Sequence, residues 1–207
     1  MNQSPPTERP AEWTALLPRL GPVPRGWGWV AAVLLVSAWL LLLPASAQPC
    51  SLLPGDPDFP DVGGVISYHW AVHTQGLLGI THSRLVGYPA IIDRLVLNGF
   101  PLDALASWPS VRLLGWPAGY TLYLVGMIWC LGLSTAWLAG RWWRSPLAAV
   151  AAGLAMQASG TVTHELQSGR SLHAFGFVFI PLALGCYLQA LQTGRTRHAV
   201  LAGLTAG

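Results

Sequence analysis

The chain has 207 residues, of which 53% are hydrophobic and only 9% are charged. Soluble globular domains carry about 25% charged residues, so this composition predicts a protein that is solvated mainly by lipid. The 11 basic residues are all arginines, and they occur singly or in pairs rather than in the basic stripe of nucleic-acid-binding proteins. A lipid bilayer is therefore the expected partner, and a nucleic acid is not.

The N-terminal region is polar and then changes abruptly to an apolar run. Residues 1–25 are rich in proline and predict a disordered cytoplasmic N-terminus. Residues 27–47 follow as the first predicted membrane span. The triplet Ala45-Ser46-Ala47 resembles a signal-peptidase site, but the region before Trp27 is long for a signal peptide. An uncleaved anchor is therefore favoured over a cleaved leader.

Several later stretches are also long enough to cross a membrane. A transmembrane helix needs about 20 apolar residues to cross about 30 Å of hydrocarbon. By that criterion spans are predicted at 118–140, 146–162 and 172–191, and a fifth begins at 199–207. At 1.5 Å per residue the fifth reaches about halfway across. We therefore expect an all-α, polytopic integral membrane helical bundle, with residues 26–207 forming the N-terminal part of a larger transmembrane domain completed by further C-terminal helices.

The arginines indicate the orientation of these spans. They precede the first span and follow the second and fourth, and cytoplasmic loops are enriched in basic residues. The N-terminus is then cytoplasmic and the loop 48–117 is extracytoplasmic. Within this large first loop, short interfacial helices are predicted at 66–78, 86–97 and 102–114, with breaks at Pro89, Pro101 and Trp108-Pro109.

An acidic cluster opens the outer loop. Asp56, Asp58 and Asp61 lie within six residues and are separated by prolines, so they are expected to project from a turn rather than from one helix. Such a turn can hold a divalent cation through oxygen ligands. Alternatively, one carboxylate acts as a general base because its neighbours raise its pKa. A solvated turn after a membrane anchor is the third interpretation.

A histidine pair follows in the same loop. His69 and His73 are four residues apart and share one face of the predicted helix. They would bind a metal if Asp61 or Asp58 supplied a third ligand. The favoured interpretation is that they are interfacial histidines beside Trp70, because that helix offers no third ligand.

The segment after residue 156 turns polar near the membrane surface. His164, Glu165 and Arg170 lie in this segment, and polar groups there are costly unless they face a bundle interior or a wet cavity. Glu165 and Arg170 are expected to pair with each other. The functional alternative is that Arg170 binds a phosphate through its bidentate guanidinium, while His164 or Glu165 orients an acceptor.

Taken together, these features resemble the GT-C superfamily of polytopic glycosyltransferases, and more narrowly bacterial YfhO-type and related GT-C-like membrane proteins. The resemblance covers about residues 56–191. Its motifs are short: Asp61 before the His69-Trp70 helix, Pro101-Leu102-Asp103-Ala104-Leu105 before Trp108-Pro109, Gly119-Tyr120, Ala158-Ser159-Gly160, and His164-Glu165-Leu166-Gln167-Ser168-Gly169-Arg170.

The resemblance implies sugar transfer, with inversion, from a polyprenyl-phosphate donor to an acceptor outside the bacterial inner membrane. It assigns the catalytic or metal-associated carboxylate to Asp61 first and Asp58 second, although Pro60 departs from the simplest paired-acid pattern. Arg170, Glu165, His164 and Asp103 are then the substrate-binding candidates, and Asp61, Asp58 and His69 the candidate ligands of a divalent cation. The competing hypothesis is a non-catalytic membrane protein, a transporter or an envelope assembly factor, on the same scaffold. The uncharged middles of the spans count against transport.

Overall fold

A computed structural model of the chain describes residues 19–23, 25–43, 45–48, 82–83, 92–93, 101–167 and 171–206. In this part the protein is helical, apart from one pair of two-residue strands and the connecting turns. The elements in chain order are α1 (Trp27–Leu41), β1 (His82–Ser83), β2 (Ile92–Asp93), α2 (Pro101–Leu114), α3 (Ala118–Trp143), α4 (Pro146–Gln157), α5 (Gly160–Gln167), α6 (Ser171–Thr193) and α7 (Thr196–Ala206). The predicted all-α class is confirmed for the described residues.

Two helices match the predicted spans. Helix α3, over Ala118–Trp143, and the part of α6 over Phe175–Thr193 are long and apolar enough to cross a membrane. Helix α1 is apolar on all sides but has only 15 residues, or about 22 Å. It is shorter than the predicted span 27–47, because Leu42 and Leu43 form a turn and residues 45–48 continue as turns and a bend.

The predicted span 146–162 is wrong as a single helix. Helix α4 begins as expected, with the Ser145 hydroxyl accepting from the Ala148 amide and Pro146 in the first turn. It ends at Gln157, and Ser159 then starts α5: its carbonyl accepts from the Thr163 amide at 3.0 Å and its hydroxyl from the Val162 amide at 3.4 Å. With 12 residues, α4 extends about 18 Å, which is too short to cross the hydrocarbon core.

The helices predicted in the outer loop have different outcomes. The helix predicted at 66–78 lies outside the described residues. The helix predicted at 86–97 is wrong at Ile92–Asp93, which pairs antiparallel with His82–Ser83; β-branched Ile92 suits an extended strand. The helix predicted at 102–114 is present as α2, but it continues through Pro109 instead of breaking there. Pro109 and Leu105 are both exposed, so the backbone bond that proline cannot make lies on the outer face of the helix.

Helix α3 is the centre of the bundle and contacts α1, α2, α4 and α6. Its first half packs with Ala38, Leu42 and Val111 in one buried cluster, and its second half lies near Val30, Leu34 and Ala149 in another. Close approach depends on glycine: a Cβ on Gly119 would overlap the backbone of Val111, and one on Gly153 would lie 2.9 Å from the Gly132 carbonyl oxygen. Small residues therefore set the helix spacing, as is typical of helix pairs in lipid.

The outer surface of the bundle is strongly apolar. The exposed fraction is 59% for Val36 in α1, 58% for Ile180 in α6 and 75% for Leu204 in α7. Buried positions include polar residues such as Thr121, Ser134 and Gln157. Many large apolar side chains are thus exposed while polar ones are buried, a distribution that supports contact with lipid.

Candidate functional site

The chain order and the packing define two ends of the bundle. Helix α3 runs from an end that contains Tyr120 to an end that contains Arg141. Leu166 and Phe175 pack against the buried cluster that contains Tyr120, whereas Gly21 contacts Arg141 and Leu20 contacts Gln192. We call the first the aromatic end. We call the second the arginine end, defined by Arg19, Arg25, Arg141, Arg144, Arg195 and Arg197.

The sequence-predicted site residues fall unevenly on the described structure. Asp58, Asp61, His69 and Arg170 lie outside the described residues. Asp103 belongs to the first turn of α2, but its side chain is likewise outside the described part. His164 and Glu165 lie on α5. Of the predicted site, the structure therefore positions the His164–Glu165 pair.

Helix α5 is held at the aromatic end by one apolar face. Val162 is completely buried beside Leu131 and Val178, and Leu166, four residues later, also packs against the Tyr120 cluster. Because residues three and four apart share a helix face, Glu165 lies at the edge of this apolar face, whereas His164 lies on the other side of the helix. His164 is exposed and Glu165 is half-buried. An exposed imidazole and a half-buried carboxylate therefore lie side by side in sequence on α5.

Aromatic rings and one buried hydroxyl complete this end. Trp116 stacks on Tyr120 with ring centroids 5.1 Å apart, and Tyr120 lies 6.1 Å from Tyr123. Tryptophan and tyrosine concentrate where a bilayer meets water. The Thr121 hydroxyl is buried and has no hydrogen-bond partner among the described residues. The aromatic end therefore combines stacked aromatic rings with polar groups.

Arg141 organises the arginine end. Its Nε donates to the Gly21 carbonyl at 2.7 Å, and the Gly21 amide donates to the Arg141 carbonyl at 3.0 Å. The guanidinium carbon lies 5.0 Å from the centre of the Trp137 ring, within cation–π range. The Gln189 side-chain amide is oriented so that its oxygen faces Arg141. This oxygen accepts from both terminal guanidinium nitrogens, at 2.5 and 2.8 Å. One arginine thus joins the N-terminal segment, α3 and α6.

Gln157 occupies the middle of the bundle. Its side-chain nitrogen donates to the Leu34 carbonyl and to the Ile128 carbonyl, each at 3.1 Å. Its side-chain oxygen is buried without a partner in the described structure. The residue therefore links α4 to both α1 and α3. The sequence places Gln157 in the polar outer end of the third predicted span. The expectation that polar groups in apolar helices face the bundle interior is confirmed for this residue.

The role of Arg141 in packing was missed by sequence reasoning, which used this arginine only for orientation. The available signal was Trp137, four residues earlier on the same helix face. No sequence signal identified Gly21 and Gln189 as partners, because they are far away in the chain.

Within the described residues, no group of three or more His, Cys, Asp or Glu side chains is arranged to hold a metal ion. The predicted cation ligands Asp58, Asp61 and His69 lie outside that part, so the cation site stays a prediction. Comparisons of the chain with protein-family models, with curated proteins and with solved structures gave no match.

Proposed function

We propose that the chain is part of a multi-pass membrane glycosyltransferase that transfers a sugar from a polyprenyl-phosphate donor to an acceptor outside the bacterial inner membrane. The observation that carries the proposal is the position of His164 and Glu165. They lie on a short surface helix at the aromatic end, opposite the arginine end. Under the positive-inside rule the arginine end is cytoplasmic, so the pair is on the extracytoplasmic side.

In this proposal the first-loop carboxylates perform the chemistry. Asp61, with Asp58 as the second candidate, deprotonates the acceptor hydroxyl while the lipid phosphate departs from the sugar. Arg170 or a divalent cation held by Asp61, Asp58 and His69 stabilises the departing negative charge. His164, Glu165 and Asp103 orient the acceptor. The supporting features are the apolar exterior, the two membrane-length helices and the sequence resemblance.

The experiment is an Asp61→Asn substitution in the full-length protein, with Asp93→Asn, at another aspartate of the same loop, as the matched control. Asparagine keeps the size of the side chain but cannot accept a proton, and loss of a general base typically costs about 10²- to 10⁴-fold in rate. We expect sugar transfer from a labelled polyprenyl-phosphate donor in membrane vesicles to fall by that factor in Asp61→Asn only. Undiminished transfer in Asp61→Asn would rule out Asp61 as the base.

The alternative is a non-catalytic membrane protein, a transporter or an assembly factor, on the same scaffold. It is favoured if the unsubstituted full-length protein transfers no sugar from any polyprenyl-phosphate donor while remaining folded in the membrane. A fold hosts more than one function, so the membrane placement and the catalytic assignment are tested separately.

A further inference from the structure

A long groove runs between α6 and α7 near the arginine end. It has a volume of about 840 Å³ and is lined mainly by apolar side chains. Leu184, Tyr187 and Leu191 form its α6 wall, and Ala199, Ala202 and Gly203 form its α7 wall. Its residues on α6 and the following turn extend from Ala183 to Gly194, which corresponds to about 16 Å along a helix. That length is close to half of the roughly 30 Å hydrocarbon core, the depth of one leaflet.

The groove is open because the two helices present side chains of different size. A Cβ on Gly203 would meet no atom within 4 Å, so the α7 wall is recessed. The large residues of α7 lie elsewhere on that helix, where Val200 is 55% exposed and Leu204 is 75% exposed. The recess is thus an apolar slot along one side of the α6–α7 helix pair.

One end of the groove is cationic. Arg195 lines it and is exposed. The surrounding turn is ordered: the Thr193 hydroxyl accepts from the Arg195 amide at 3.4 Å and contacts Nδ1 of His198 at 3.0 Å. Among the acidic residues, the side chain that the structure describes is that of Glu165, which lies on α5, away from the arginine end. Arg195 therefore faces no compensating carboxylate in the described structure.

We propose that this groove binds an anionic phospholipid of the leaflet at the arginine end, with the phosphate on Arg195 and one acyl chain between α6 and α7. Charge complementarity favours this occupant, because a guanidinium matches the geometry of a phosphate and basic sites between membrane helices on the cytoplasmic side bind anionic headgroups. The proposal rests on the membrane location proposed above. It is independent of glycosyl transfer, which is assigned to the opposite end.

The test is native mass spectrometry of the detergent-solubilised protein titrated with dioleoyl phosphatidylglycerol or dioleoyl phosphatidylcholine. The variants are Arg195→Gln, its neighbour Arg197→Gln as the matched control, and Gly203→Leu. Arg197 lies two residues later, in the first turn of α7, and is exposed but does not line the groove. A Cβ at position 203 would meet no atom within 4 Å, and leucine favours the helix, so Gly203→Leu is expected to fold and to occupy the slot.

We expect tighter binding of phosphatidylglycerol than of phosphatidylcholine. Apparent affinity for phosphatidylglycerol should fall about tenfold in Arg195→Gln, as for loss of a charged hydrogen bond, and several-fold in Gly203→Leu, while Arg197→Gln stays within about twofold. Equal losses in the two arginine variants would indicate diffuse attraction and overturn the proposal. It would also be overturned by an unaffected Gly203→Leu, by no preference for phosphatidylglycerol, or by a lipid-free dimer.

Discussion

Gln157 shows how a single polar side chain organises apolar helices. It is almost completely buried, and its amide nitrogen donates to carbonyls of α1 and α3. Interhelical hydrogen bonds in membrane proteins are worth about 0.6–2 kcal/mol. The buried side-chain oxygen, which has no partner in the described structure, works against this gain. The net stabilisation from this residue is therefore small. Its two hydrogen bonds nevertheless require α1, α3 and α4 to meet in one particular arrangement.

This balance predicts different outcomes for two substitutions of similar size. Gln157→Met removes both the donor and the partnerless oxygen, so we expect a loss of only about 1 kcal/mol. Gln157→Glu replaces the donor with a carboxylate that faces two carbonyl oxygens, so we expect a loss of several kcal/mol. Thermal unfolding in detergent at pH 8 measures both. Equal stability of the two variants would contradict the assigned hydrogen bonds.

Arg141 is the second residue whose role depends on distant partners. The Arg141 guanidinium is used in three ways: Nε donates to the Gly21 carbonyl, the cation lies over the Trp137 ring, and both terminal nitrogens donate to the Gln189 side-chain oxygen. Lysine has a compact ammonium and does not reproduce this set. The N-terminal segment around Gly21 is consequently part of the folded arginine end.

At the scale of elements, α3 is packed through its glycines. A Cβ on Gly132 would lie 2.5 Å from the Gln157 side-chain nitrogen, whereas one on Gly126 would meet nothing within 4 Å. The two glycines are six residues apart on the same helix. Substitution of Gly126 therefore tests helix propensity alone, whereas substitution of Gly132 also tests interhelical packing.

Alanine substitution should change stability in opposite directions at these positions. Gly126→Ala should stabilise the protein by up to about 1 kcal/mol, because alanine favours the helix. Gly132→Ala should destabilise it by roughly 1–3 kcal/mol, because overpacking displaces Gln157. Thermal unfolding of both variants under the same conditions tests this. A stabilised Gly132→Ala would show that α1, α3 and α4 are less closely packed than described.

The interruption between α4 and α5 illustrates the limit of hydropathy as a predictor. Residues 146–162 are apolar enough to predict one span, yet Ser159 begins a new helix through its carbonyl and hydroxyl. Hydropathy averages over a window and does not register a single capping residue. The same average correctly predicted α3 and most of α6, where no such residue interrupts the run.

At the scale of the whole molecule, charge is segregated between the two ends. Arg19, Arg25, Arg144, Arg195 and Arg197 are exposed at the arginine end, whereas Arg112, His164 and Glu165 lie near the aromatic end. The surface between the ends is apolar. Such an arrangement suits a bilayer in which the arginine end faces the cytoplasm.

Cysteine labelling tests this orientation. In a version lacking Cys50, Cys130 and Cys186, the exposed positions Arg25, Arg197 and Thr161 are replaced singly by cysteine. We expect a membrane-impermeant maleimide to label Thr161→Cys in intact spheroplasts, and Arg25→Cys and Arg197→Cys only after permeabilisation, because a charged reagent does not cross the bilayer.

The cysteine-free parent supplies the background signal for this measurement. The reverse pattern would show that the protein is inserted with the opposite orientation. Labelling of all three positions from one side would show that the described helices do not separate the two ends across a membrane.

The sequence by itself determined the helical class, the positions of α3 and α6, the start of α4 at Ser145 and the clustering of arginine at helix ends. These properties depend on neighbours in the chain: apolar run length, a local cap and flanking charge. It also named His164 and Glu165 as candidates, but not the apolar face of α5 that holds them at the aromatic end.

Only the tertiary structure decided that Gln157 bonds to Leu34 and Ile128, that Arg141 joins Gly21 to Gln189, and that α6 and α7 leave a groove ending at Arg195. Each of these features depends on the register in which separate helices meet. A shift of one residue turns a side chain by about 100° around its helix. Helix propensity and hydropathy, which are summed over neighbours in the chain, do not determine that register. It is determined only when the helices pack.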